Sequence, residues 1–312
     1  MRRVVITGAT SFIGSAVSRV LLDRGCQVYA LVRPESAARK MLPTHPNFHE
    51  VTCDLADTKK WVGDIGSADV FFHFAWEGPG ANGRADPDLQ KKNVRLAVGC
   101  MHGAAELKAK RFLFSGSQAE YGAVFDRIMP EELPCHPVLE YGKGKVAVCQ
   151  EATELMPRLG IEYVHMRFFS VYGPNDHPYT LVPSCIRCFL KGETIPLSEC
   201  KNKWNFLHVE DAAEAAVRLA ECKLESPVTI VNVAGTDTRR LKDFVEEIHR
   251  LAGGRGECAY GARHSTERPV DNWPDISRLQ RLTGWSPRVT FEQGISGLIA
   301  MEREEMDGGK NR

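Results

Sequence analysis

The 312-residue sequence carries no net charge, since 40 lysines and arginines balance 40 aspartates and glutamates. Without a basic excess there is no general attraction to nucleic acid or to an anionic membrane surface, so local groups must bind any anionic ligand. No apolar run approaches the ~20 residues that a membrane helix needs, and no signal-peptide pattern opens the chain. We therefore expect a cytoplasmic protein with neither a nucleic-acid partner nor a membrane partner.

Paired cysteines at zinc-site spacing are also missing. The ten cysteines are scattered through apolar segments, and Cys185 and Cys188 form a C-x-x-C motif that no second pair accompanies at the required distance. In a chain without an export signal, free thiols are favoured over disulfides. We expect no metal, and we interpret the C-x-x-C motif as part of a buried helix face.

What the sequence does contain is a regular alternation of two patterns. Short apolar runs rich in β-branched and aromatic residues predict strands at Arg3–Thr7, Gln27–Val32, Val70–Phe74, Arg111–Ser115, Glu162–Phe168, Phe206–His208 and Val228–Val233. Helical periodicity covers Ser11–Arg24, about Leu89–Leu107, about Tyr141–Arg158, Val209–Ala220, Arg239–Ala252 and about Phe291–Glu304. Because parallel strands need crossover connections, this alternation predicts a doubly wound α/β sheet.

A glycine-containing turn joins the first predicted strand to the first helix. Gly8 supplies the tight turn, and Gly14 lies at the N-terminus of the helix that follows. The free N–H groups and the dipole of a helix N-terminus attract anions, so this turn is a candidate cradle for a pyrophosphate. The candidate residues are Gly8, Thr10, Ser11, Phe12, Ile13 and Gly14.

In a dinucleotide site of this strand-turn-helix type, the end of the second strand distinguishes NAD(H) from NADP(H). An acidic residue there would hydrogen-bond the ribose hydroxyls and repel a 2′-phosphate. The sequence has Arg33 instead, and a guanidinium offers charge-assisted bonds to a phosphate. We therefore prefer NADP(H) to NAD(H), with a solvated loop arginine as the alternative.

Tyr141 and Lys145 form a Y-x-x-x-K motif, and on a helix these two positions share one face. An ammonium beside a phenol favours the phenolate and lowers the tyrosine pKa from about 10 toward the working pH. Tyr141 could then exchange a proton with a substrate hydroxyl or carbonyl while a hydride moves. Ser117, near the end of the strand upstream, could orient the same oxygen and stabilise its charge.

These segments together resemble the extended short-chain dehydrogenase/reductases, a family of NAD(P)-dependent nucleotide-sugar epimerases, dehydratases and reductases. Residues 7–14 resemble its TGxxGxxG turn, with Ser11 at the middle glycine. Residues 115–122 resemble its SSSxxxYG segment, and residues 167–174 its RxxxVYGP segment. The resemblance runs from Val4 to about Pro287.

The resemblance implies an oxidoreductase or epimerase whose catalytic residues are Ser117, Tyr141 and Lys145, supported by Asn93. It implies further cofactor contacts at Asp54, Leu55, Phe74, Ala75 and Phe168, in addition to Arg33, Tyr141, Lys145 and the glycine turn. It also implies a homodimer formed through the long helix before Arg111 and the Tyr141 helix.

Domain organisation follows from a change of pattern after Tyr172, where residues 173–203 carry four prolines. We predict a dinucleotide-binding Rossmann domain over 1–172, to which about 204–234 return. Residues 173–203 and 235–312 would then form a smaller, interleaved substrate-binding domain.

The two residues that directly follow Ser117 bear on which reaction is catalysed. Dehydratases of the family carry an Asp-Glu pair there, whereas this chain has Gln118 and Ala119, which cannot exchange protons. Glu120 is one residue further on, and strand alternation would point it elsewhere. A 4-keto-sugar reductase and a 4-epimerase remain. Arg33 favours the reductase, because net reductions usually draw on NADPH.

The substrate side departs from the family at one position. Trp204 stands where the R-D-[FY]-I-H-V pattern has the arginine that meets the nucleotide diphosphate, and Arg268 is a second candidate for that role. The predicted substrate-binding residues are Trp76, Ser117, Gln118, Asn175, Trp204 and Arg268. Trp204 also leaves open a small substrate without a nucleotide. A protein of another class, a non-catalytic NADP sensor on the same fold, is a further alternative.

Overall fold

Strand and helix alternate along the first 168 residues of the computed structural model, which describes residues 1–78, 80–263 and 270–308. The strands are β1 (Arg3–Thr7), β2 (Gln27–Val32), β3 (Phe48–Thr52), β4 (Val70–His73), β5 (Arg111–Ser117), β6 (Glu162–Phe168), β7 (Ser170–Tyr172), β8 (Thr194–Leu197), β9 (Lys203–His208), β10 (Val228–Val233), β11 (Thr238–Arg240) and β12 (Glu257–Tyr260). The α-helices are α1 (Phe12–Asp23), α2 (Thr58–Ile65), α3 (Ala81–Ala85), α4 (Pro87–Glu106), α5 (Glu140–Arg158), α6 (Leu181–Lys191), α7 (Val209–Glu221), α8 (Leu241–Leu251), α9 (Ser277–Thr283) and α10 (Phe291–Gly308).

The central sheet has the order β10-β6-β5-β4-β1-β2-β3, and all its strand pairs are parallel. Helices cover both faces, so strands such as β4 are buried along their whole length. The predicted doubly wound α/β fold is thereby confirmed. The strand order reverses between β1 and β4, and a crevice opens at such a switch point, outside the carboxyl ends of the strands.

The buried apolar residues form three clusters. One cluster packs α1 and α7 against one face of the central sheet, and a second packs α2, α4 and α5 against the other. The third lies among α6, α8, α10 and β8, away from the sheet. Part of the C-terminal half, from α6 to α8 and α10, therefore packs in a core of its own, whereas α7, β10 and α9 pack with the central sheet.

The two strands of the segment 204–234, which we predicted to return with the first domain, pair in different sheets. β10 pairs with β6 at the sheet edge. β9 instead joins β7 and β11 in a separate three-stranded sheet, with Ser170 opposite Phe206. β7 begins two residues after β6 ends, so it offers an edge to which β9 can pair outside the main sheet.

The proline-rich segment 173–203 is more regular than its composition indicates, because it contains α6 and β8. Pro183 is the third residue of α6, a position at which a backbone N–H would have no partner within the helix. Proline, which has no N–H, therefore costs no helical hydrogen bond there. Pro196 lies in β8, a strand of a two-stranded sheet with β12, where edge positions tolerate proline.

The cysteines all carry free thiols. Cys185 is buried on α6 and Cys188 is half-buried. In the three described ranges, no cluster of three or more His, Cys, Asp or Glu residues could hold a metal ion. Of the helices in these ranges, none combines the length and the apolar character needed to cross a membrane.

Candidate active site

A cavity of about 650 Å³ opens at the carboxyl ends of β1, β2 and β4, at the switch point of the sheet. Predicted cofactor residues from four separate segments line this cavity. They are Gly8, Thr10, Ser11, Arg33, Asp54, Leu55, Phe74 and Ala75, together with Trp76 and Asn93 from the other predicted sets.

The glycine turn is built for close approach of the backbone. Gly8 has a φ of +72°, and a Cβ at this position would lie 2.6 Å from the backbone nitrogen of Ala75. A Cβ on Gly14 would lie 2.2 Å from the carbonyl oxygen of Gly8. Ser11 caps α1, its hydroxyl accepting from the backbone N–H of Gly14 at 3.2 Å, so the serine at the middle glycine position stabilises the helix that faces the cavity.

Two of the predicted cofactor residues turn their side chains elsewhere. Phe12 lines a second cavity, between α1 and α7, and Ile13 packs against the core on that side of the sheet. Their backbone N–H groups belong to the first turn of α1, where they have no acceptor within the helix. Both residues could therefore serve an anion through the main chain.

Arg33 follows β2 at the rim of the cavity, with its side chain 63% exposed. Its guanidinium forms an ion pair with Glu77, which also accepts from Lys92 at 3.0 Å. Asp54 follows β3 and accepts from the backbone N–H of Ala56 at 3.0 Å. The rim on this side thus carries both positive and negative groups. A cofactor phosphate that binds Arg33 would have to displace the carboxylate of Glu77 from the guanidinium.

The end of β4 backs the cavity with buried rings. The hydroxyl of Thr7 lies 3.0 Å from Nδ1 of His73 and accepts from the backbone N–H of Ala75 at 3.3 Å. Burial lowers the pKa of His73 to about 3, so the imidazole is neutral. Phe74 contacts the ring of Phe168 at the end of β6, with the centroids 6.2 Å apart.

Ser117, Tyr141 and Lys145 meet at the carboxyl end of β5. Ser117 is the last residue of that strand, and Tyr141 lies in the first turn of α5, near enough for the serine hydroxyl to act on the pKa of the tyrosine. Lys145 lies one turn later and is buried. Its Nζ is 5.5 Å from the centroid of the Tyr141 ring. The three side chains can therefore share one small substrate group.

The electrostatics of these groups differ from the expectation that Lys145 makes Tyr141 acidic. The Nζ of Lys145 donates to the carbonyl of Ser115 at 2.6 Å and lies 3.7 Å from the Trp76 ring centroid. Burial lowers the pKa of this ammonium to about 7. Burial also raises the pKa of Tyr141, and it is opposed by the hydrogen bond to Ser117 and by the charge of Arg84.

Asn93 supports the loop after β4 rather than a reacting group. Its side-chain oxygen accepts from the backbone N–H of Glu77 at 3.0 Å, and its amide donates to the carbonyl of Glu77 at 2.9 Å. Gln90, one turn earlier on α4, accepts from the indole N–H of Trp76 at 2.7 Å. These bonds hold Trp76 against Lys145.

Glu120 forms a charge cluster directly behind Ser117, which the sequence did not indicate. The carboxylate is fully buried and accepts from the backbone N–H of Ser117 at 2.7 Å, from Nε of Arg167 at 2.9 Å and from Nε2 of His165 at 2.9 Å. Glu120 thus turns into the interior, away from the substrate side. The cluster fixes the backbone that carries Ser117.

Arg84 is the second residue that sequence reasoning missed. Its Cζ lies 4.6 Å from the centroid of the Tyr141 ring, although the arginine belongs to a five-residue helix with no motif. The remaining predicted substrate residues do not converge with Tyr141 to the same degree. Gln118 is half-buried in the turn after Ser117. Asn175 lines the cavity between α1 and α7 instead of the Tyr141 cavity.

Trp204 lies on β9, half-buried against the third core cluster, with its ring 6.4 Å from that of Phe206. Its position on the small three-stranded sheet follows from the pairing of β9 with β11, where Arg239 stands opposite. Arg268 lies outside the described residues.

Comparison with known proteins gives one family match. The model of the NAD dependent epimerase/dehydratase family matches residues 4–234. A UDP-N-acetyl-alpha-D-glucosaminuronate decarboxylase of Bacillus cytotoxicus is 22% identical over 325 residues, covering 97% of this chain and 98% of the relative.

Solved structures are similar over the same length. A UDP-glucose 4-epimerase of Thermotoga maritima, solved with UDP-glucose, superposes with a TM-score of 0.87 at 20% identity, over 97% of this chain and 99% of the other. A UDP-glucuronic acid 4-epimerase of Bacillus cereus, solved with NAD, superposes with a TM-score of 0.81 at 21% identity, over 94% of each chain. At these identities the likeness concerns the fold.

Proposed function

The chain belongs to the NAD-dependent epimerase/dehydratase family, and we propose that it transfers a hydride at C4 of a nucleotide-activated sugar, as a 4-keto reductase with Tyr141 as acid/base. The observation that carries the proposal is the meeting of Ser117, Tyr141 and Lys145 beside a cavity lined by the glycine turn. Gln118 and Ala119 supply no acid or base for a dehydration.

The residues around the cavity fit a nicotinamide dinucleotide. Gly8 leaves no room for a Cβ, which is the condition for close approach of the main chain to a pyrophosphate. The α1 N-terminus faces the same space and favours negative charge. When bound, the nicotinamide would supply or accept the hydride.

The chain's own groups account for the proton. The Tyr141 hydroxyl gives its proton to the oxygen at C4 of the substrate, and the Ser117 hydroxyl donates a hydrogen bond to the same oxygen. The partly charged ammonium of Lys145 lies 5.5 Å from the ring of the phenolate that remains, and the Glu120 cluster keeps Ser117 in place. Ser117 and Lys145 are buried and Tyr141 is half-buried, which limits the access of water to this exchange.

Arg33 underlies the second part of the proposal, a preference for NADP(H). The guanidinium sits at the rim of the cavity, where a 2′-phosphate could displace Glu77 from it. The same ion pair favours the alternative, a 4-epimerase with bound NAD. Because Glu77 already neutralises Arg33, the arginine gives a 2′-phosphate no advantage over the free ribose hydroxyls of NAD. The Bacillus cereus relative was solved with NAD.

The nucleotide-sugar substrate is proposed from the relatives, which act on or bind UDP-sugars.

We also propose a cytoplasmic homodimer. α4 and α5 pack side by side, and a groove of about 370 Å³ runs between them. A monomer by light scattering at working concentration would remove the dimer.

Incubation of the purified protein with a panel of 4-keto nucleotide sugars and with NADPH or NADH tests the function. A reductase consumes one cofactor per sugar, which the loss of reduced-nicotinamide absorbance measures. An epimerase interconverts 4-hydroxy nucleotide sugars with no net change in that absorbance. Cofactor binding without turnover of either substrate set would favour the sensor. No inhibition by UDP, dTDP, CDP or GDP would point to a substrate without a nucleotide.

A further inference from the structure

Arg84 occupies a position beside Tyr141 that the family resemblance does not account for. Its Cζ lies 4.6 Å from the centroid of the tyrosine ring. Its Nε is buried and has no hydrogen-bond partner in the described part of the chain. The Nε of Arg84 is therefore left beside the tyrosine with no carboxylate bonded to it among the residues that the structure describes.

The helix that carries Arg84 is held firmly in place. Gln90 of α4 donates to the carbonyl of Gly83 at 2.7 Å. A Cβ on Gly83 would lie 2.4 Å from the Cα of Gly78, and Gly78 itself has a φ of +69°. Two glycines thus allow a close crossing of the backbone just before Arg84. The position of the guanidinium follows from this crossing and from the contact of α3 with α5.

Besides Arg84 of α3, charged and titratable groups approach Tyr141 from α5, from β5 and from the turn after β5. Lys145 lies on α5, the helix of Tyr141, with Nζ 5.5 Å from the ring centroid. Ser117 comes from the end of β5, and Glu120 from the turn that follows. Of the two cationic groups beside the ring, Lys145 carries an ammonium and Arg84 a guanidinium, and a guanidinium keeps its charge throughout the working range.

We propose that Arg84 is a positioning residue that stabilises the anionic form of Tyr141, and so sets the pH range in which this tyrosine exchanges protons. The inference rests on the acid/base role of Tyr141 in the proposed function. Burial raises the pKa of Tyr141 and lowers that of Lys145 to about 7, so the ammonium is only partly charged near neutrality. A permanent charge at the ring compensates for that loss.

Absorbance titration of the tyrosinate, with saturating nicotinamide cofactor and no sugar, tests the inference. The contribution of Tyr141 is isolated by subtracting the same titration in a Tyr141→Phe background. Arg84→Gln should raise the midpoint by about one pH unit or more, as expected for loss of a charge at this distance in a partly buried site. Arg84→Lys keeps the charge and should fall between the two.

The matched control is Arg158→Gln, which removes one charge at the far end of α5, the helix that carries Tyr141. The Arg158 side chain is 76% exposed. This variant should leave the midpoint unchanged. If thermal melting shows that Arg84→Gln does not fold, the titration uses Arg84→Met instead, which retains an apolar side chain like the stem of the arginine.

Equal midpoints in the wild type and in the folded Arg84 variant overturn the inference, as does the absence of any Tyr141-dependent titration in both. A rise in the KM of an acidic sugar with an unchanged midpoint would assign Arg84 to substrate binding instead. The titration needs no substrate. A shifted midpoint with no turnover of nucleotide sugars therefore rejects the proposed function and leaves the role of Arg84 standing.

Discussion

Glu120→Gln probes the charge cluster behind Ser117. The carboxylate is fully buried and accepts hydrogen bonds from Ser117, His165 and Arg167. A glutamine has nearly the same shape, but its amide N–H₂ would face donors from His165 or Arg167, and the guanidinium of Arg167 would lose its counter-charge. Removing one partner of a buried ion pair costs about 3–5 kcal/mol of unfolding free energy, so we expect a loss in this range at pH 7.

The pKa values of the pair give the loss a characteristic pH dependence. Desolvation raises the pKa of Glu120, but the charges of His165 and Arg167 leave it below the usual 4.5, so its contribution is present above pH 4.5 and disappears in acid. Desolvation lowers the pKa of His165, but Glu120 raises it from 6.5 to about 9, a shift worth roughly 3 kcal/mol. That contribution is complete below pH 6.5 and is lost as the pH rises through 9.

Urea denaturation of the wild type and Glu120→Gln at pH values from about 5.5 to 9.5 measures the effect. The difference in unfolding free energy should be largest near pH 6 and should shrink toward pH 9. Glu154→Gln, which removes a carboxylate from an ion pair that is 76–77% exposed, is the control, and it should change the free energy by less than about 1 kcal/mol. A Glu120→Gln loss as small as that of the control, or one independent of pH, would refute the reasoning.

Three further predictions concern the site. Tyr141→Phe should lower kcat by about 10²–10⁴-fold while cofactor affinity stays nearly intact, which steady-state kinetics and calorimetry check; an unchanged kcat would contradict the mechanism. Arg33→Asp should weaken NADPH more than NADH in fluorescence titrations, and equal losses would remove the NADP preference. Gly8→Ala should weaken cofactor binding by about tenfold or more, because its Cβ would lie 2.6 Å from the Ala75 nitrogen at a positive φ; Gly25→Ala, which also has a positive φ but no neighbour within 4 Å, shares only the backbone strain.

Features that depend on neighbours in sequence could be predicted from the sequence. The β1 strand, the turn with Gly8 and Gly14, and the start of α1 follow from β-branched residues, glycine and a capping serine within a dozen positions. The same holds for Tyr141 and Lys145, whose four-residue spacing on α5 places both side chains on one face. The parallel order of the sheet follows from the alternation of strand and helix.

Only the tertiary structure decided which distant groups meet. α6 forms despite its proline, because its apolar face finds a core made with α8 and α10, and β9 joins β7 because that edge lies beside it. Glu120 acquires its charge partners from a strand 45 and 47 residues further along. Arg84 meets Tyr141 through a crossing of two glycines. Local patterns specify the backbone of each element, whereas burial and charge at the site depend on side chains that only packing brings together.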